Sequence, residues 1–266
     1  MEEVLATQKA VTTMDTASLL KTVYHREFPL PTRPWIMTQI WHELLFAHWP
    51  LAPEVLRPLI PLHLEIDAFG GEAWIGVVPF WMSNVHPRGL PNIGALSTFP
   101  ELNVRTYVKA QGIAGVFFFS LDAGNPIAVA LARSIFHLPY FNARMRHQRE
   151  GDTIDYECHR THRGVQPADY VARYRPIAPA SFSTAGSIEH WLTERYCLYT
   201  VFHNHLYRGN IHHRRWPLQV AELETRCDTM ALSHGIYLPD AQPLLYYAER
   251  LEVLIWALEH CELVSS

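Results

Sequence analysis

Residues 99–145 read FPELNVRTYVKAQGIAGVFFFSLDAGNPIAVALARSIFHLPYFNARM, and the fold turns on this stretch. Leu102, Val104, Thr106 and Val108 alternate with Asn103, Arg105, Tyr107 and Lys109. That period of two predicts a strand with two unlike faces. Gln111-Gly112 signals a turn, and the aromatic run over residues 116–121 predicts a buried strand. Gly124-Asn125-Pro126 breaks it. Asn125 suits an N-cap and Pro126 a first helical turn, with apolar residues at helical spacing over 127–136. Pro139 closes that helix and opens the next strand.

The chemistry of the stretch lies in its polar residues. Glu101, Asn103, Arg105 and Tyr107 share parity, so acid, amide, guanidinium and phenol fall on one strand face. A face turned to water would make them ordinary surface. A face turned inward would make them a pocket wall able to hold a carboxylate or carbonyl.

The runs FPELNVRTYV, GVFFFSLDA and LARSIFHLPY-NARM resemble the YqjF-like family of uncharacterised bacterial proteins, and the likeness extends over about residues 41–256. The WP-x-x-x-x-x-LRPLIP run at residues 49–61 belongs to the same pattern. The family in turn resembles the acetoacetate decarboxylase superfamily, which implies an α+β, mainly antiparallel β fold: a cone-like open barrel with a few short helices and an interior site. In that superfamily the turn after the helix carries two adjacent lysines, one of which forms a Schiff base. The matching positions here are Tyr140 and Phe141, and Lys9, Lys21 and Lys109 are the chain's only lysines. An imine mechanism needs an amine of depressed pKa. The resemblance therefore implies the pocket without Schiff-base decarboxylation. Glu101 matches the superfamily's glutamate and Arg133 its helix arginine.

At 266 residues the chain makes one large domain or two small ones. We divide it into an N-terminal extension, residues 1–34, and a single domain, residues 35–266. It is 48% hydrophobic and 18% charged, enough for a large core with surface left for a homo-oligomer interface. A net charge of -4 argues against nucleic acid or an acidic membrane as partner. Residues 1–21 are acidic and polar rather than signal-like, and no apolar run reaches the roughly 20 residues that span a bilayer. A cytoplasmic location is expected. Four widely spaced cysteines read as free thiols.

Along the chain, Asp15 or Thr16 caps a short helix through Lys21. A strand is predicted at 42–49 and a helix at 53–59. Two strands, 64–68 and 74–81, turn at Gly70-Gly71, and a long loop covers 85–97. A hairpin over 144–160 turns at Glu150-Gly151-Asp152, with another strand at 171–176. Ser187 caps a helix. Strands follow at 197–205, 207–213 and 218–224, then a helical turn ended by Gly235 and a closing strand from 244.

Sixteen histidines raise a metal site, with His203 and His205 on one strand face and Glu222 to complete a set, yet no HExxH-type motif supports it and none is predicted. No G-x-G-x-x-G or G-x-S-x-G motif occurs, so no cofactor is predicted. The candidate site comprises Glu101 and Arg105 as acid/base and anion anchor. Trp74, Asn103, Tyr107, Arg133, Tyr140, His213, Trp216, Gln219 and Glu222 are its ligand-binding residues. Gln219 and Glu222 differ in parity, so both face inward only across a bulge. The expected partner is a small organic acid or carbonyl compound. A lyase or isomerase using Glu101 and Arg105, and a non-enzymatic structural protein, stay open as alternatives.

Overall fold

The computed structural model describes residues 14–262. Its strands, in chain order, are β1 Met37–Leu51, β2 Glu65–Ile66, β3 Ala73–Pro87, β4 Phe99–Ala110, β5 Ile113–Ala123, β6 Tyr140–Glu150 and β7 Thr153–Arg160. Then come β8 Asp169–Pro176, β9 Ser181–Phe182, β10 Cys197–Phe202, β11 His205–His212, β12 Pro217–Asp228, β13 Leu244–Ile255 and β14 Glu259–His260. The helices are α1 Thr16–Lys21, α2 Pro53–Leu56, α3 Pro126–Ile135 and α4 Ile188–Thr193. The chain thus folds as predicted, a mostly antiparallel sheet with few short helices.

Local chemistry explains the helix starts. The Asn125 side chain accepts from the amides of Ile127 and Ala128, and Pro126 occupies the first turn of α3. Asp15 and Ser187 cap α1 and α4 in the same way. The strand predicted at 64–68 shrinks to β2: Glu65 and Ile66 ladder with β4, and a last amide bond runs from Asp67 to the Tyr107 carbonyl.

The sheet closes on itself twice. Strands β13, β12, β8, β7, β6, β5, β4, β3 and β1 pair in a ring. Strands β13, β11, β10, β5, β4, β3 and β1 pair in a second ring that shares one wall with the first. Strands β1, β3, β4, β5 and β13 are common to both, which explains why β4 is buried on either face. Its even positions Leu102, Val104 and Val108 pack in the main core with Tyr156, Tyr170 and Tyr174. Its odd positions Glu101, Asn103 and Arg105 face the interior of the second ring, where a cavity lies. Ahead of β1, Leu19 is buried against Leu254 and Trp256.

Candidate functional site

The cavity has a volume of about 340 Å³, within the range of small-molecule sites. Of the eleven residues singled out from sequence, Glu101, Asn103, Arg105, Tyr140, His213 and Trp216 come together on its wall. Tyr107 is fully buried one layer behind, its hydroxyl 2.6 Å from His48 Nε2. Trp74 packs in the cluster around Tyr107 rather than on the cavity. Arg133 is exposed on α3 and donates to the Tyr140 carbonyl at 2.7 Å. Gln219 pairs with Tyr247 away from the cavity, and Glu222 points outward to Arg175 at 2.5 Å. The bulge that would turn both inward is absent, since the irregularity in β12 falls between Thr225 and Cys227.

Glu101 does not pair with Arg105; it accepts from the Tyr140 hydroxyl, at 2.8 Å. Burial pushes the Glu101 carboxyl up to about 8, with Tyr140 and Asn103 opposing the shift, so it is neutral at pH 7. No ion pair reaches Arg105 among the described residues. Its guanidinium carbon lies 5.1 Å from the Phe46 ring centre and 5.8 Å from that of Tyr107. Arg195 also lines the cavity, but Asp67 holds its Nη1 at 2.5 Å.

Four wall atoms are buried without a hydrogen-bond partner: Asn103 Oδ1, Arg105 Nε, Arg195 Nη2 and Trp216 Nε1. Three are donors, and two of those belong to cations. Buried polar groups are normally paired, so donors so placed are able to bond an acceptor in the cavity. His213 adds no charge, because burial lowers it to about 4 despite the opposing bond from its Nδ1 to the Arg214 carbonyl at 2.7 Å.

Sequence reading missed several wall and support residues. His48 is wholly buried against Tyr107, and burial followed by Arg105 drives its pKa well below the ordinary value. Gly76, opposite Arg105, leaves room for that imidazole. Phe46, beneath the guanidinium, stacks on His48 at 5.8 Å. His48 sits in an apolar run, LLFA before it and Trp49 after it, and the partner of its imidazole lies 59 positions away. The histidines at 203 and 205 do not form a joint face: His203 and Asn204 hold the left-handed hairpin turn between β10 and β11. Among the described residues no three metal-binding side chains cluster, and no helix is long and apolar enough to cross a membrane.

The sheet, closed into rings, is similar in fold to that of acetoacetate decarboxylase-like proteins. The chain belongs to the DUF2071 family, "Uncharacterized conserved protein", which it matches over residues 38–252. It is 46% identical over 233 residues to "Uncharacterized protein YqjF" of Bacillus subtilis strain 168, covering 88% of this chain and 96% of that relative. Among solved structures it is similar to the enduracididine biosynthesis enzyme MppR complexed with pyruvate (TM-score 0.59, 12% identity, 88% of this chain and 93% of that one). It is likewise similar to acetoacetate decarboxylase from Legionella pneumophila (TM-score 0.59, 13% identity, 95% and 98%). At such identities the likeness is one of fold.

Proposed function

We propose that the cavity binds a small organic acid or carbonyl compound, with Arg105 as anion anchor. The observation that carries this is a buried guanidinium that faces a cavity and has no carboxylate partner among the described residues. Such a charge is costly unless something neutralises it. Arg195 Nη2 and Trp216 Nε1 offer further donors, and neutral Glu101 spares an incoming anion a repulsive neighbour. That a protein of the same fold was solved with pyruvate supports an oxo acid as one guest. Glu101 and Arg105 touch no group that assigns them a proton-transfer step, so the reading stops at binding.

The test is calorimetry of the full chain with pyruvate, acetoacetate and acetate, beside Arg105→Met. Hydrogen bonds to charged groups contribute about 1.5–3 kcal/mol, so Arg105→Met weakens carboxylate binding roughly tenfold or more. The unliganded variant melts at the same or a higher temperature, because a lone buried charge is gone. Absence of binding by every carboxylate, or equal affinity in Arg105→Met, would overturn the reading.

A further inference from the structure

Both cations of the cavity wall, Arg105 and Arg195, stand at one end, against the Tyr107 ring. Arg105, Thr193, Arg195 and His213 are all buried, at 8%, 3%, 6% and 1% exposure. From there the wall runs through Leu44, Phe80, Met82, Phe99 and Leu121. It ends between the 88–97 segment and α3, where apolar side chains line the cavity and yet meet solvent. Leu90, Ile93 and Leu96 from the segment are 57%, 60% and 45% exposed. Ile127, Leu131 and Ile135 from α3 are 55%, 54% and 55% exposed. The last three recur every four residues, so one helical row borders the mouth. Exposed apolar side chains gathered at one place mark a site of contact with something apolar.

The strand that connects the two ends sets a length. Glu101 and Arg105 are four residues apart on β4, which is about 14 Å at roughly 3.4 Å per residue. Asn103 lies between them, and it and the Tyr140-bonded Glu101 are both without charge at neutral pH. A short acid such as acetate would fill the cationic end and leave the apolar length uncovered.

We propose that the natural ligand is an amphipathic acid, a carboxylate seated at Arg105 with an unbranched apolar chain running along β4 to the mouth between the 88–97 segment and α3. This rests on Arg105 as the anion anchor and adds the class of the tail. An unbranched chain running that span suits a cavity at the lower end of the ~300–1,000 Å³ typical of small-molecule sites.

Calorimetry with butanoate, hexanoate, octanoate and octanol on the full chain tests it. Each buried methylene contributes about 0.8 kcal/mol, or about fourfold in affinity, so octanoate binds roughly two hundred times tighter than butanoate. Octanol, with the chain but no carboxylate, binds at least about tenfold more weakly than octanoate. The paired rim substitutions Ile93→Ser and Leu131→Ser weaken octanoate and leave butanoate unchanged. If butanoate and octanoate bind alike, the tail is wrong and the anion anchor stands. If octanol matches octanoate, or no acid binds, the anchor fails and the tail with it.

Discussion

At the scale of single residues, Glu101 is the group whose charge state the fold controls most usefully. Its carboxyl is raised to about 8 chiefly by burial, against an ordinary value of 4.5. A raised folded pKa means that folding takes up a proton. The associated stability is fully present below pH 4.5 and is lost as pH climbs through about 8. Glu101→Gln keeps an acceptor for the Tyr140 hydroxyl and has no proton to lose. Urea unfolding at pH about 5 and about 8.5 therefore finds the variant gaining on the native chain as pH rises, by up to a few kcal/mol. Anion affinity of the native chain falls over the same window, since ionised Glu101 repels a carboxylate, while that of Glu101→Gln stays flat. A native stability curve parallel to that of the variant would place the carboxyl in water instead.

At the scale of elements, strand parity was legible and partner choice was not. The alternation in residues 101–108 correctly put Glu101, Asn103 and Arg105 on one face, because a strand's side chains alternate whatever surrounds it. The same logic required a bulge for Gln219 and Glu222, both kept as candidates, to face inward together; the irregularity in β12 falls instead between Thr225 and Cys227. What sequence hid were the irregularities. Glu43 and Asn84 adopt left-handed backbone at breaks in the β1–β3 ladder. The Glu43 carbonyl accepts from Tyr174, 131 positions on, and its carboxylate is held by Trp81 and Arg149. Nothing local announces such contacts. Gly76 is another case: in sequence it is a weak point within a strand. In the fold an added Cβ would sit 2.8 Å from His48 Nε2 and 2.9 Å from its Cδ2. That imidazole is buried and cannot retreat. Gly76→Ala therefore destabilises by about 1–3 kcal/mol, the usual cost of overpacking. It also weakens anion binding, because the crowded imidazole stacks on Phe46, the ring that lies under the Arg105 guanidinium. Unfolding midpoints and octanoate affinity check the two effects; an unchanged midpoint would mean that the wall is softer than its packing.

At the scale of the whole molecule, the architecture of acetoacetate decarboxylase-like proteins is kept while lysine is nearly gone. Tyr140 follows Pro139 where that superfamily's lysine pair is expected, and its hydroxyl serves Glu101. The nearest lysine in sequence, Lys109, shares its strand face with Arg105, but its ammonium pairs with Asp67 at 2.6 Å and is 41% exposed on the side chain. That ion pair holds the amine at Asp67, and Lys109 is not on the cavity wall, so among the described residues no lysine is placed to attack a bound carbonyl there. Lys21 ends α1, far along the chain from the cavity wall, and Lys9 lies outside the described residues. We therefore expect that borohydride added with pyruvate or acetoacetate leaves the intact mass of the chain unchanged, under conditions where the same acids bind by calorimetry. Peptide mapping guards against a trace reaction at an exposed amine, which would scale with keto-acid concentration and persist in Arg105→Met. A stoichiometric adduct on Lys109 that disappears in Arg105→Met would instead show that the ion pair with Asp67 opens when an acid enters, and that imine chemistry survives on a lysine displaced along β4.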